Sequence, residues 1–445
     1  MIAYHAGMVD TRFEDRRRIE RYSREELARH QLSRLNRLLE TILPHNKFYA
    51  EKLAGVPLPL ETLEDLERLP FTFKDELIGE APFEHAANLT YPLERYIRFH
   101  RTSGTRGRPL AVLDTAADWV WWMEAWQYVL DAAELGPEDR VAMLFSFGPF
   151  IGFWSANDAL LSRGCMTIPC GGLSTLGRLE LLRTSRATAV CCTPSYALHA
   201  AETAAENEIE VAALEVRRII VAGEPGGSIP AVRNRIEAAW NAKVIDHAGA
   251  TEVGPWGFAD AEHRGLRVTE SHFLPEFLSL ETGRPAGEGE LAELVLTTLG
   301  REGAPVLRYR TGDLVRPTLT AGESGFVLLD GGVLGRADDM MIIRGVNVFP
   351  SSIEQILRSF PEIVEYRMTA HKAGAMDALT VEIEDRLERP ERVVKEMQVR
   401  LGLKVEVRCV PLGSLPRFEA KGKRFIDARN TGKRHSSGKR GASAP

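Results

Sequence analysis

The chain has 445 residues, 44% hydrophobic and 27% charged, with a formal net charge of −6. That length suits more than one domain, each with its own core, and the acidic balance argues against nucleic acid as the main partner, because phosphate binding needs a basic field. No run of about 18 apolar residues occurs, so no membrane-spanning helix is expected, and the charged stretch Arg16-Arg17-Arg18 is unlike a signal peptide, which points to a cytoplasmic protein.

Residues 1 to about 60 read as helical. Between 21 and 42 apolar residues recur near helical spacing, and Ser23 with Glu26 has the pattern of a capping box. From about 85 to 260, short β-rich runs alternate with helical stretches. The runs at 140–147, 189–192 and 217–222 are apolar and bounded by turn residues, and the last two precede helix-like segments at 195–205 and 229–240. Such alternation predicts crossover units around a largely parallel sheet, an α/β fold. Cys165, Cys170, Cys191 and Cys192 lie in or beside apolar runs and read as small buried hydrophobes, with neither CxxC spacing nor a nearby pair of histidines to suggest a metal.

The texture changes near 270. Segments 289–299 and 306–309 are strand-like, and after Gly335 a smaller pattern begins: strand 340–344, helix 351–359, strand 379–384, helix 391–401, strand 404–410. The expectation is a large N-terminal domain over 1–335, a small α+β domain over 336–430, and a disordered basic tail over 431–445.

Six segments carry candidate chemistry. In 101–110 (RTSGTRGRPL), Thr102, Ser103 and Thr105 alternate with Gly104 and Gly107, and Arg106 and Arg108 add charge. Glycines let backbone N–H groups approach, hydroxyls donate and arginines neutralise, which suits a polyphosphate, although the Walker A spacing is absent. Alone, the segment reads equally as a Gly/Ser surface turn. Gly223 and Glu224 lie in a Gly-rich bend after an apolar strand, where α/β folds place ligands. Thr251 and Glu252, in DHAGATEVG, offer a hydroxyl and a carboxylate suited to Mg²⁺ bridging phosphates. Asp313, in YRTGD, sits in a Gly-led turn and can accept from both hydroxyls of a ribose. Arg336, Asp338 and Asp339 stand at the expected domain junction, and Lys421, Lys423 and Arg424 occupy a late polar turn. Each of these also reads, singly, as an ordinary charged turn.

Taken in order, TSGTRGRP, GATE, YRTGD, GRADDM and a late lysine resemble the acyl-adenylate-forming (AMP-binding) enzyme superfamily. Within it the chain is most similar to the phenylacetate–CoA ligase family, over roughly 20–430. The resemblance implies a large adenylate-forming domain with a small mobile C-terminal domain. It implies ATP, Mg²⁺ and coenzyme A as cofactors, and a small carboxylic acid as substrate. Thr102, Ser103, Gly104, Thr105 and Gly107 should then grip the ATP phosphates, Gly223 and Glu224 lie along the adenine, and Asp313 hold the ribose. Thr251 and Glu252 should hold the α-phosphate and the metal, and Arg336 should reach ribose or phosphate. Asp338 is the implied hinge, Arg344 and Gly345 the implied coenzyme A tunnel, and Lys421 the implied catalytic lysine, with Lys423 competing because the turn reads EAKGK. The acid pocket should be lined by Phe145, Phe147, Phe150, Trp154, Gly249, Ala250 and Trp256. Such aromatic density suits an aromatic or arylacetic acid, and core packing is the competing reading of the rings.

The sequence departs from the family at several points. Where an aromatic residue commonly stacks on adenine before the third-motif Gly, this chain has Ala248, so His247 or Trp256 would have to compensate. Some branches carry a lysine after the phosphate-loop Pro; here Pro109 precedes Leu110. Relatives with a structural metal bind it after the third motif, where this chain has His263 and His272 but no cysteine, so zinc is not expected. Two other functions stay open at this point: loading of an aryl or hydroxy acid onto a carrier protein's phosphopantetheine, and a non-catalytic nucleotide-binding relative. A homodimer is the family's habit.

Overall fold

The computed structural model describes residues 12–79, 85–102, 109–319, 322–337, 341–343, 346–373, 376–401, 405–416 and 424–429. The chain divides into two compact units, Met1–Leu334 and Gly335–Pro445.

The first unit opens with helices α1 (Phe13–Glu20), α2 (Arg24–Ile42) and α3 (Lys47–Lys52). The Ser23 hydroxyl accepts from Glu26 N (3.2 Å) and the Glu26 carboxylate accepts from Ser23 N (2.8 Å), so the capping box sets the start of α2. Gln31 on the buried side of α2 donates to the carbonyls of Glu270 (3.1 Å) and Phe273 (3.2 Å), pinning the helix to the body of the unit.

An antiparallel pair follows, β1 (Tyr96–Arg101) and β2 (Ala111–Thr115), then helix α4 (Ala116–Ala132). Trp119, Trp121, Trp122, Trp126 and Val129 of α4 are all buried, so the helix is apolar on several faces and sits inside the core. After it come β3 (Arg140–Met143), α5 (Trp154–Arg163), β4 (Met166–Pro169), α6 (Thr175–Ser185), β5 (Ala189–Cys192), α7 (Pro194–Glu206), β6 (Arg218–Val221), α8 (Pro230–Trp240) and β7 (Lys243–Ala250). These five strands are parallel in the order β4-β3-β5-β6-β7. Ala142, Val190, Cys192, Ile219 and Val244 pack into one core, whereas Val141, Met143, Cys191, Ile220 and Ile245 pack into the other. A two-faced burial of this kind explains why the strands read as continuous apolar runs. It also sends the neighbouring thiols of Cys191 and Cys192 to opposite faces.

The same sheet continues antiparallel through β8 (Gly254–Ala259) and β9 (Gly265–Val268), while β10 (Phe273–Ser279), β11 (Ala292–Thr298) and β12 (Tyr309–Val315) pair antiparallel in a second sheet. Strands β13 (Pro317–Thr318) and β14 (Leu328–Asp330) close the large sheet at its antiparallel edge, giving nine strands among the described residues.

In the second unit, β15 (Gly335–Arg336), β16 (Met341–Ile343) and β17 (Val346–Val348) precede α9 (Pro350–Arg358), β18 (Ile363–Ala373), β19 (Met376–Asp385), α10 (Pro390–Leu401), β20 (Glu406–Cys409) and β21 (Phe425–Asp427). The order β20-β19-β18-β21 has an antiparallel centre and parallel outer pairings. Ile353 and Leu357 of α9 and Val393 and Met397 of α10 cover it, with Val381 and Ile383 beneath.

Two strand boundaries differ from the reading of the sequence. β3 stops at Met143 rather than 147, because Gly148, Pro149 and Gly152 (φ +42°) turn the chain into a loop whose aromatics stay apolar for another purpose. The expected strand at 306–309 is a turn, with Arg308 at φ +47°, and the strand begins only at Tyr309. Among the described residues no helix is long and apolar enough to cross a membrane.

Candidate active site

Strand order fixes where a ligand can sit. β3 hands the chain to β4 on one side, and β5 hands it to β6 on the other, so the connections leave these adjacent strands in opposite directions. A crevice opens at the carboxyl ends of such a pair. The loops that follow β3, β5, β6 and β7 all emerge there, and they carry the ring-rich run 145–154, Gly223 with Glu224, and Thr251 with Glu252.

The first wall is the loop 144–153. Leu144 N donates to Cys191 O (2.9 Å), holding the loop on β5, and Arg101 N donates to Pro149 O (2.7 Å), tying it to the end of β1. Thr102 is buried beside that tie. Its backbone N donates to Leu110 O (2.9 Å) and its hydroxyl accepts from Leu110 N (2.9 Å), a clasp at the foot of the hydroxyl-rich loop. Ser103, Gly104, Thr105, Arg106, Gly107 and Arg108 lie outside the described residues.

After β6, Gly223 adopts φ +91°. The Glu224 carboxylate accepts from Ser195 N (2.7 Å) in the first turn of α7, a favourable place for an anion at a helix N-terminus. A Cβ on Gly227 would stand 2.5 Å from Asp246 Cγ, so this glycine is what lets the bend close against the end of β7. Asp246 accepts from the Ser228 hydroxyl and from His247 N (3.0 Å), and burial pushes its carboxyl up to about 6.

Thr251 and Glu252 follow β7, both partly buried. Glu252 is held at two points. Its carbonyl accepts from Arg301 Nη1 (2.8 Å), and its Oε1 accepts from the Tyr309 hydroxyl (2.8 Å) with Lys74 Nζ 3.7 Å away. Arg301 is itself fully buried against Asp114 (2.6 Å), which also receives Trp122 Nε1 (3.1 Å). The third and fourth sequence segments therefore meet, since Tyr309 opens β12 and Asp313 lies on the same strand. Gly312 (φ +73°) turns the chain there, and Asp313 N donates to Thr311 Oγ1 (3.0 Å). The donor set at this corner is a carboxylate beside a hydroxyl, hard oxygens of the kind Mg²⁺ prefers. Arg301, Asp114 and Lys74 were not singled out from the sequence, and Tyr309 was read only as the first residue of YRTGD. Nothing local marks their part, because Arg301, Tyr309 and Lys74 reach Glu252, and Asp114 reaches Arg301, from distant segments.

The first wall is completed by a run of rings. His247 packs on Trp126 (centroids 4.1 Å), Trp126 meets Phe153 (6.5 Å), Phe153 meets Phe145 (5.0 Å), Phe145 meets Phe147 (4.7 Å) and Phe147 meets Trp154 (4.4 Å). Trp126, at 1% exposure, backs this run from the core, and Phe153 falls within the run 145–154 read from the sequence. Phe150 is 52% exposed, Gly249 is exposed, and Ala250 is partly buried against the core. Trp256, at 1% exposure, packs in the interior and offers no surface to a ligand. His247 points to α4, on the face of β7 opposite Ala248, so it does not stand in for an aromatic at position 248.

In the second unit Arg336 is partly buried on β15, and Asp338, Asp339, Arg344, Gly345, Lys421 and Lys423 lie outside the described residues. His272 is buried with Nδ1 beside the Ser271 hydroxyl (2.8 Å) and Nε2 3.6 Å from Glu124, and no group of metal-ligating side chains forms among the described residues.

Comparison with known proteins supplies the rest. A family model for the AMP-binding enzyme matches residues 65–290, and one for the AMP-binding enzyme C-terminal domain matches residues 345–429. A phenylacetate–coenzyme A ligase of Thermus thermophilus is 32% identical over 92% of this chain and 98% of its own. Another, from Escherichia coli, is 32% identical over 93% of this chain and 97% of its own. Among solved structures, a 2-hydroxyisobutyryl-CoA ligase in the postadenylation state with 2-HIB-AMP superposes with a TM-score of 0.86 at 26% identity, covering 95% of this chain and 94% of that one. The same ligase with 2-HIB-AMP and CoA in the thioesterification state gives a TM-score of 0.70 at 27% identity, again over 95% and 94%.

Proposed function

The chain belongs to the phenylacetate–coenzyme A ligase family of AMP-binding enzymes and is an ATP-dependent, AMP-forming acid–CoA ligase, and we propose that its acid is small and aromatic or arylacetic. The observation that carries the acid class is the run of rings from Trp154 to His247, which lies on the strand leading to Glu252 and suits a flat apolar body with a carboxylate at one end.

In the first half-reaction a carboxylate oxygen bonds to the α-phosphorus of ATP, the bond from that phosphorus to the β-bridging oxygen breaks, and pyrophosphate leaves. Two anions must approach, so the barrier is largely electrostatic. Tyr309 and Arg301 fix Glu252, the residue we assign to that charge, and we assign Asp313, on the strand that Tyr309 opens, to the ribose hydroxyls. Mg²⁺ held by Glu252 would offset the phosphate charge when bound. Thr102 anchors the loop whose hydroxyls and glycines we assign to the phosphates. In the second half-reaction the coenzyme A sulfur bonds to the acyl carbon, the bond from that carbon to the phosphate oxygen breaks, AMP leaves, and the thiol proton passes to solvent. By family likeness Lys421 bridges the acid's carboxylate and the α-phosphate in the first half only.

Four buried free thiols favour a reducing, cytoplasmic setting. A pyrophosphate-release assay across aryl, arylacetic and short hydroxy acids, with and without coenzyme A, tests the reading. Release with an arylacetic acid that also consumes coenzyme A is expected. Lys421→Ala should abolish adenylate formation yet form thioester from supplied acyl-adenylate; survival of both half-reactions would move the role to another lysine, Lys423 first.

A further inference from the structure

One polar atom on the aromatic wall has no answer among the described residues. His247 is 7% exposed, and its Nδ1 lies 2.7 Å from the carbonyl oxygen of Gly257. A carbonyl only accepts, so Nδ1 carries the ring proton. Burial holds the imidazole pKa down to about 4, so near neutral pH the ring is uncharged and Nε2 is a bare lone pair. That Nε2 has no hydrogen-bond partner among the described residues. It stands beside Gly249, where an added Cβ would lie 3.4 Å from Nε2, 3.0 Å from Gly254 O and 3.3 Å from Pro255 Cα, so a side chain at 249 would crowd the atom and the glycine leaves it uncovered.

The rest of the wall cannot share this role. Trp126 donates its indole N–H to the Ser155 hydroxyl (2.7 Å), and Trp154 donates its own to Gly148 O (3.0 Å). The phenylalanines are hydrocarbon. A ligand seated against these rings therefore meets a single rigid polar group, and that group accepts. An acid without a donor at that place would leave the nitrogen desolvated and unpaired, which is where polar sites discriminate most strongly.

We propose that His247 Nε2 is a specificity-determining acceptor, and that the acid this enzyme activates carries a hydrogen-bond donor, a hydroxyl or an amino group, aimed at it. This deepens the ligase reading above and rests on it.

Matched acids test it in the full-length enzyme with ATP, Mg²⁺ and coenzyme A. Hydroxyphenylacetates and aminophenylacetates are set against the corresponding methylphenylacetates, and 2-hydroxyisobutyrate against its methyl isostere pivalate. The wild type should favour a donor-bearing acid over its methyl partner in kcat/KM by on the order of 10- to 100-fold. His247→Leu should bring that ratio close to one, and His247→Gln, which keeps an acceptor, should retain part of it. Parity in the wild type overturns the proposal, as does an undiminished ratio in a folded His247→Leu. Should that variant not fold, methoxyphenylacetates decide the matter in the wild type, since they keep the oxygen and lose the donor. They should fall to the level of the methyl acids, and activity equal to the hydroxy acids overturns the proposal. Pyrophosphate release that ignores the donor removes this inference alone, whereas no release with any acid removes the ligase reading itself.

Discussion

The two walls of the candidate site are built on opposite plans. At the Glu252 corner the polar groups brace one another: Arg301 on the backbone, Tyr309 on the carboxylate, and Asp114 and Trp122 behind Arg301, with Asp114 Oδ2 the acceptor left over among the described residues. The other wall is a file of rings with one polar atom, His247 Nε2, left without a partner among the described residues. A corner held by buried ion pairs and hydrogen bonds keeps its shape whatever acid is bound, as a reacting centre requires. A wall of side chains in van der Waals contact is set by volume and by one acceptor, and changes in it alter the choice of acid before they alter the chemistry.

That contrast can be tested, beginning with the largest expected effect. Arg301→Leu would leave Asp114 buried without its cation, and loss of one partner of a buried pair costs about 3–5 kcal/mol. Chemical denaturation should register a loss of that size; a change under about 1 kcal/mol would mean that the corner is not held as described. Glu252→Gln should keep the fold, read by an unchanged melting temperature, and slow pyrophosphate release by about 10²–10³. A rate near that of the wild type would place the reacting end elsewhere. Tyr309→Phe removes one hydrogen bond to the carboxylate, so adenylation should slow by roughly tenfold, with the acid preference untouched. A shift in acid preference instead would couple the two walls.

The smallest effect is on pH. Burial lowers the pKa of His247 and of His272 to about 4, against about 6.5 for an unfolded histidine. The folded state thus favours the neutral rings. Their contribution is fully present above pH ~6.5 and is lost as the pH falls toward 4. Asp246 acts in the opposite sense, because its raised pKa lets the folded protein take up a proton below about pH 6. His30, His100 and His263 are lowered as well and Glu20, Asp118 and Glu276 raised; with carboxylates held low by arginines adding to the loss, the melting temperature should decline between pH 6.5 and 4.5. His247→Gln should make that decline shallower, and an unchanged slope would remove His247 from the account.

Parts of the architecture were plain from the residues alone. The runs at 189–192 and 217–222 and the helices after them appear as β5, α7, β6 and α8, because two-faced burial writes continuous apolar runs into parallel strands. Ser23 and Glu26 cap α2 because capping is a contact between near neighbours in the chain. Helix α4 escaped notice for the opposite reason: with tryptophans buried on several faces it has no polar stripe and hence no clear helical period. Strand β18 was missed as well. Its alternation is interrupted by a register shift between Ile363 and Glu365, so apolar and polar positions exchange faces near its start.

By itself the sequence determined the order of the phosphate, carboxylate and ribose segments, and with them the family and the reaction, since each of those segments is a short run of residues whose chemistry is complete in its own spacing. Only the tertiary structure decided what holds them and what they face. Glu252 meets Arg301 and Tyr309 from segments about fifty residues further on, and no local pattern records such a contact. His247 reads as an odd substitution beside Ala248 until strand alternation turns it toward Trp126 and the Gly257 carbonyl fixes its proton on Nδ1. Which nitrogen of a histidine is left bare is set by a partner across the sheet, and that is why the acid's donor is readable in the fold and not in the chain.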